Sequence, residues 1–332
     1  MPSPDEVLLS CELVSVNHVD TFVRSRAYRN TIPAPLIIGR DVVGTVEELG
    51  NKSKVSSADK GPRASQWATT GIRDTHPNLL SSPTNRLFHL PDTVSEPLDV
   101  VATAHSLTTV QLAFTHAPNL GPDKCIFIGG TAGNVSTVAV QCAHSMGSRV
   151  IASGPAADHN WIWSLRADQA LDCRDPHLPQ KASAQSPDGI YIWWDASGHL
   201  ILSQATDSVA HAGNIHLSTG IDKHSNLQVE TIYTRDISIH GFAVFNASDI
   251  QLRSAALGLN EFLKRGSLRY RRTAEFFPGP DHTSPPARRI GRCSRQGNHK
   301  RARMIIYLGS SAEAHRESSS YQSSATLAAA MP

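Results

Sequence analysis

Gly130, Gly133 and Ser136 follow the apolar run Cys125-Ile126-Phe127-Ile128-Gly129, and from Val135 onward Val138, Ala139, Cys142, Ala143 and Met146 repeat at helical spacing. A buried strand ending in glycines and opening directly into a helix is the arrangement that binds a pyrophosphate. The glycines permit a tight turn and let backbone N–H groups approach the phosphates. The helix start then offers unpaired donors and a favourable dipole. Gly130 and Gly133, with the helix start that follows them, are the candidate phosphate-binding turn. Ser136 stands where a third glycine would close the helix against the sheet, and it is small enough to do so.

The next strand reports which dinucleotide such a turn takes. An NAD site carries Asp or Glu about 20 residues past the glycines, bonded to the ribose 2′-hydroxyl. Here that point reads Ala152-Ser153-Gly154-Pro155, without an acid, and Asp158 lies beyond the strand end. With no carboxylate to repel a 2′-phosphate, NADPH is the expected cofactor. Arg149 and His159 are the nearby sources of positive charge.

These residues need a scaffold, and the chain carries the pattern of one. Its 332 residues suggest two domains, and 40% hydrophobic residues suffice for their cores. Strand-like runs at Ile190–Trp194, Ile215–Leu217 and Ile237–Ile239 continue the alternation begun at Cys125, which predicts βαβ units around a parallel sheet. A helix is expected over Ala247–Lys264, with Ile250, Leu257 and Leu263 on its apolar face. The first 120 residues read as β-rich, with strands over Glu6–Val16 and Ile37–Leu49, bends or bulges at Gly39, Gly44 and Gly50, and a helix over Ala102–His116. Met304–Leu308 reads as a last strand. No internal repeat is evident. Lys52–Asn85 and Gly279–Arg303 lack a core pattern, and the Ser/Ala-rich tail from Ser310 reads as disordered.

Other function classes recede on the same reading. A net charge of +2 does not suit a polyanion binder. The basic stretch Arg288, Arg289, Arg292, Arg295, Lys300, Arg301 and Arg303 has no interleaved aromatics for base stacking, so nucleic acid is not an expected partner. No run reaches the roughly 18 apolar residues of a membrane span. The five scattered cysteines suit a reducing compartment, and with no secretory start the expected location is the cytoplasm. Cys125 and Cys142 read as core residues. The sixteen histidines show no ligand-like cluster along the sequence, and most read as surface residues.

Five segments, in order, resemble the medium-chain dehydrogenase/reductases, specifically the zinc-free quinone-oxidoreductase and enoyl-reductase branch. They are Val14-Ser15-Val16-Asn17-His18-Val19-Asp20, Ile38-Gly39-Arg40-Asp41-Val42-Val43-Gly44-Thr45-Val46, the glycine turn, Trp194-Asp195-Ala196-Ser197-Gly198 and Asp236–Phe242. The resemblance implies an α/β protein: a Rossmann-type doubly wound parallel sheet over 116–265 and a β-rich, chaperonin-10-like (GroES-like) domain over 1–115, rejoined by 266–309, with 310–332 as the tail. Zinc-dependent relatives place Cys and His where this chain has Asn17 and Arg40. Neither replaces a thiolate or imidazole ligand, so no metal site is expected.

The resemblance further implies that Asn17 and Thr108 lie near the nicotinamide, Gly130, Gly133, Asn134 and Val135 at the pyrophosphate, Ser153 and Gly154 at the adenosine ribose, and Ser197, Gly241 and Phe242 at cofactor-facing strand ends. Tyr28 and Arg24 are candidate donors to an acceptor oxygen, and Asp41 is expected to brace backbone amides near Arg40. The implied substrate is a small quinone or enone. A trans-acting enoyl reductase of polyketide synthesis shares every motif, and a degenerate nucleotide-binding protein without turnover is the non-catalytic alternative. A homodimer is among the assemblies left open. Three departures stand out: Ala58-Asp59-Lys60-Gly61-Pro62-Arg63 replaces the family's Pro-Gly-Asp-Arg-Val turn, Thr108-Thr109-Val110 replaces a Thr-Ala-Tyr-like stretch, and Gly279–Arg303 matches nothing.

Overall fold

The computed structural model describes residues 2–25, 27, 39, 41–53, 66–67, 73–76, 79–90, 97–221, 223–265, 268–271, 274–276 and 303–306. In chain order the elements are β1 (Glu6–Val16), α1 (His18–Arg24), β2 (Asp41–Leu49), β3 (Gln66–Trp67), β4 (Arg73–His76), β5 (Leu79–Pro83), β6 (Phe88–His89) and α2 (Pro97–Thr115). Then come β7 (Cys125–Gly129), α3 (Asn134–Ser145), β8 (Arg149–Gly154), α4 (His159–Ser164), β9 (Gln169–Asp172), α5 (Leu178–Ala184), β10 (Ile190–Asp195), α6 (Leu202–Ser208) and β11 (Val209–Leu217). The last are α7 (Val229–Thr234), β12 (Ser238–Gly241), α8 (Asp249–Arg265), β13 (Ala274–Phe276) and β14 (Arg303–Ile306). The chain forms two compact units. One comprises Met1–His105, Leu252–Ser267 and Arg271–Pro332, and the other Ser106–Gln251 and Leu268–Tyr270.

The first unit is organised on β1, which is antiparallel to β2 and β5 and parallel to β14. Eleven residues of mostly apolar sequence let it serve several neighbours, and Val7, Leu9, Cys11 and Val14 pack with Val42, Val46 and Leu87 in one core cluster. The β1–β2 register shifts beside Cys11, the residue opposite Gly44, where the sequence suggested a bulge. Lys52–Asn85, which carries no periodicity, still supplies β3, β4 and β5. These strands gain their order from backbone pairing with β1, β2 and each other rather than from an apolar pattern of their own. The final strand ends at Ile306, and it rejoins the unit through its parallel ladder with β1.

The second unit is a six-stranded sheet in the order β12-β11-β10-β7-β8-β9, with every pair parallel. The chain enters at β7, steps outward through β8 to β9, then returns to β10 on the other side of β7 and proceeds to β12. This is a doubly wound sheet with its switch point between β7 and β10, and ligands bind such sheets outside the carboxyl ends of those strands. All five residues of β7 are buried, as a parallel sheet covered on both faces requires. Cys125 and Phe127 join Ile151, Trp193 and Ile215 in one core cluster with Ala182 of α5 and Ala205 of α6. The pleat sends Ile126 and Ile128, both wholly buried, to the opposite face.

Three expectations are corrected here. The helix expected from Ala102 begins at Pro97, whose fixed φ and missing N–H suit a first helical position. In α8 the buried residues are Leu252, Ala255, Ala256 and Leu259, while Ile250 and Leu257 are exposed. Ile250 and Leu252 lie about 200° apart at about 100° per residue, so choosing one stripe turns the other outward. The stripe at i, i+3, i+4 and i+7 is buried, and its two alanines permit close packing. Arg149 opens β8, about 16 Å from its carboxyl end at about 3.3 Å per residue, so it supplies no charge to a ribose there. Cys125 and Cys142 are buried as expected. Among the described residues no helix is long and apolar enough to cross a membrane.

Candidate dinucleotide site

The glycine turn sits at the switch point. Gly129, the last residue of β7, is in register with Asp195, the last of β10. Gly130 has φ +72°, and a Cβ there would lie 2.8 Å from the Ser197 nitrogen, so backbone conformation and close approach both demand glycine. Asp195 Oδ1 in turn accepts the Ser197 N–H at 2.8 Å, fixing the chain that packs on the turn. On the other side, Thr131 donates its N–H to the Ser153 carbonyl at 2.9 Å, tying the turn to the end of β8. Ser136 does more than fit: its hydroxyl donates to the Gly129 carbonyl at 2.7 Å, bolting the first turn of α3 to the strand.

Gly133 is different in kind from Gly130. It caps α3 with φ −91°, open to any residue, and a Cβ there would meet only the Gly130 carbonyl oxygen, at 3.4 Å. Nothing among the described residues therefore requires glycine at this position. The space a side chain would take lies at the helix start, where the first intrahelical bond runs from the Thr137 N–H to the Gly133 carbonyl. That leaves the N–H groups of Asn134, Val135 and Ser136 without helical acceptors. Beside them the Asn134 Nδ2 is buried and has no partner among the described residues. An open cradle, a row of backbone donors and an orphaned amide fit the diphosphate of a dinucleotide.

At the end of β8 Ser153 is buried, and a Cβ on Gly154 would stand 3.0 Å from Ile162 Cδ1, so this rim is close-packed. Asp172, which the reading along β8 alone did not find, lies beside Gly154 in the neighbouring strand. Its Oδ1 accepts the backbone N–H of Arg174 at 3.0 Å, which turns the carboxylate toward its own loop. His159 begins α4, with its Nε2 buried and without a partner among the described residues. At the far strand ends, Phe242 donates its N–H to the Leu217 carbonyl at 3.1 Å, and a Cβ on Gly241 would meet nothing within 4 Å. Thr108 is buried within α2.

Phe242 also closes an aromatic cluster that sequence reading missed. His116, which follows α2, stacks on His240 of β12 with ring centroids 4.8 Å apart. His216 of β11 contacts both, as well as Trp194 and Phe242. The reading that the histidines show no ligand-like cluster concerns metal ligation; the grouping of these three is one of ring contacts, which that reading does not anticipate. The signal was present as the repeated pairs Ile215-His216 and Ile239-His240, which parallel register places side by side. No group of three or more His, Cys, Asp or Glu among the described residues is arranged to hold a metal ion.

In the first unit, Asn17 caps α1 and is buried. Its Nδ2 donates to Asp41 Oδ2 at 2.8 Å and to Ser15 Oγ at 3.1 Å, while the Ser15 hydroxyl donates to the same carboxylate oxygen at 2.8 Å. The Asn17 N–H donates to Asp20 Oδ2 at 2.8 Å, fixing the helix start. Asp41 is expected to brace backbone amides near Arg40, which lies outside the described residues; its Oδ2 holds the Asn17 side chain and the Ser15 hydroxyl. Tyr28 and Arg40 lie outside the described residues, as does the side chain of Arg24, the last residue of α1. The arginine-rich stretch and the tail lie outside them too, apart from the backbone of Arg303.

Comparison with known proteins agrees with this architecture. Residues 3–79 match the alcohol dehydrogenase GroES-like domain. A quinone oxidoreductase of Sus scrofa is 24% identical over 274 residues, covering 81% of this chain and 80% of that protein. A trans-enoyl reductase of Aspergillus japonicus is 32% identical over 209 residues, covering 56% of this chain and 57% of its own. Among solved structures, an Escherichia coli quinone oxidoreductase complexed with NADPH superposes with a TM-score of 0.67 at 17% identity, over 80% of this chain and 81% of that one.

Proposed function

Since this chain belongs to the medium-chain dehydrogenase/reductase superfamily, we propose that it is a zinc-independent oxidoreductase that uses NADPH to reduce a quinone or an activated C=C bond. The observation that carries the reading is the cradle at Gly133, a glycine that the protein's own packing does not require, beside three helix-start donors and the orphaned Asn134 amide. NADPH is favoured over NADH because β8 ends in Ser153-Gly154 without an acid of its own and the Asp172 carboxylate is engaged by its loop. When bound, the cofactor supplies a hydride from its dihydronicotinamide ring.

The chain's part is to bind, orient and polarise. Gly130, Gly133, Asn134 and Val135 hold the diphosphate; Ser153 and Gly154 border the adenosine ribose; Ser197, Gly241, Phe242 and Thr108 line the approach to the nicotinamide. Asn17, kept in one orientation by Asp41 and Ser15, is the candidate for orienting a reacting group, and orientation supplies much of the rate. Tyr28 and Arg24 donate to the acceptor oxygen as negative charge builds on it, and a solvent proton completes the reduction. A trans-acting enoyl reductase is the second reading, favoured by the 32% identity to the Aspergillus japonicus protein.

The test is to follow NADPH oxidation against a panel of quinones, enones and enoyl thioesters. We expect turnover with at least one class, and full activity after exhaustive chelation, because Asn17 and Arg40 stand where zinc ligands would be needed. One zinc per chain together with loss of activity on chelation would overturn the zinc-free assignment. In parallel fluorescence titrations NADPH is expected to bind at least about tenfold more tightly than NADH, the equivalent of one well-placed charge interaction. A preference for NADH would instead assign Asp172 to the ribose hydroxyls.

A further inference from the structure

His216 is the most anomalous polar residue among the described residues of the second unit. It is wholly buried in the middle of an aromatic cluster, and neither ring nitrogen has a partner there. A neutral imidazole still carries one donor and one acceptor, and leaving both unmet in a core is costly. The two imidazoles beside it are half-buried and stacked on each other. His240 Nε2 lies 3.2 Å from Asn214 Oδ1. Phe242, following the carboxyl end of β12, touches two of the histidines and Trp194: His116 at 5.9 Å, His216 at 6.0 Å and Trp194 at 5.9 Å between centroids.

We propose that His116, His216 and His240 form an acid-sensitive latch on the cofactor site, in which imidazolium charge entering the stack displaces Phe242 and Gly241 and weakens dinucleotide binding. The proposal rests on the dinucleotide reading above and adds its regulation. The geometry favours transmission through β12. That strand has four residues and ends the sheet, and it is held by a ladder to β11 that includes the His216–His240 pair. Short terminal strands are the least secured parts of a sheet.

Every element packed against the cluster contributes to its electrostatics. The segment after α2 brings His116, β10 brings Trp194, β11 brings Asn214, and β12 brings His240. The charged groups that act on His216 are His240 and His116, with no carboxylate to offset them. Burial pushes His216 down to about 3, with the other two imidazoles adding to the shift, and burial followed by His116 also lowers His240. The sign follows directly. A histidine depressed in the folded state binds fewer protons there than in the unfolded chain. The packed cluster is therefore fully stable above about pH 6.5 and loses stability as pH falls from there toward 3.

The test compares NADP⁺ binding by calorimetry on the full chain and on His216→Phe and His240→Phe. Phenylalanine keeps the ring packing and removes the titration. The 2′-phosphate of the ligand itself titrates near about pH 6, so the reading is the difference between proteins. Between about pH 7.5 and about pH 5.5 the wild type is expected to lose about tenfold more affinity than either variant, one pKa unit of coupling. Equal pH profiles in all three would overturn the latch while leaving the dinucleotide reading intact. If the wild type binds no NADP⁺ at any pH, the dinucleotide reading fails. In that case the latch on the cofactor site is overturned with it.

Discussion

Gly133→Val is expected to weaken NADPH binding by at least about a hundredfold while the protein remains folded, the loss of two or more charge-assisted hydrogen bonds. The asymmetry between the two turn glycines is what makes the experiment informative. At Gly133 the backbone is in an ordinary region, and the nearest atom to an added Cβ is a carbonyl oxygen at 3.4 Å. The fold should therefore tolerate the substitution, with about 1 kcal/mol of destabilisation from replacing a helix N-cap glycine by an apolar residue. At Gly130 the φ is +72° and an added Cβ would stand 2.8 Å from the Ser197 nitrogen. Gly130→Val should accordingly lose stability and binding together. Titrating NADPH and measuring Tm of the apo-protein on both variants separates a ligand cradle from a merely structural turn. An unchanged affinity in a folded Gly133→Val protein would remove the basis for the dinucleotide assignment.

The largest stability effect is expected for Phe127→Ala, about 3–5 kcal/mol. Phe127 is wholly buried in the central strand β7 and stacks on Trp193 with ring centroids 3.9 Å apart. Its truncation removes an aromatic pair and opens a void among Ile151, Ile190 and Ile215, all members of the same cluster and all wholly buried. Parallel strands on both sides of β7 leave little freedom to collapse into that void. Urea unfolding should show the shift in midpoint with an unchanged slope. Trp163→Ala, half-exposed at the end of α4, serves as the control and should stay within about 0.5 kcal/mol. A loss below about 1 kcal/mol at Phe127 would mean that the sheet is not packed as described.

The amino-acid sequence alone determined the elements whose pattern is local. Cys125–Gly129 reads as a buried strand because every residue is apolar or glycine, and parallel sheets bury both faces of their central strands. The turn and α3 follow from glycine spacing and a helical repeat, and β1 from an uninterrupted run that can serve several partners. The candidate diphosphate residues could be proposed for the same reason: they lie within one short turn, and their chemistry is that of the backbone.

What only the tertiary structure decided depends on residues far apart in sequence. β3, β4 and β5 have no apolar signature and exist through pairing with β1 and β2. The buried stripe of α8 could not be chosen from two apolar stripes without knowing what it packs against. Asn17, Ser15 and Asp41 become one network only when β1 and β2 pair, since the amide and its carboxylate are 24 positions apart. Asp172 comes to lie beside Gly154 through the β8–β9 ladder. His116, His216 and His240 are spread along the chain, and they converge because parallel register sets two strands side by side and the end of a helix lies over them. A one-dimensional reading sees apolar periodicity and backbone motifs; a polar cluster drawn from three elements has no period and appears only once the sheet order is fixed.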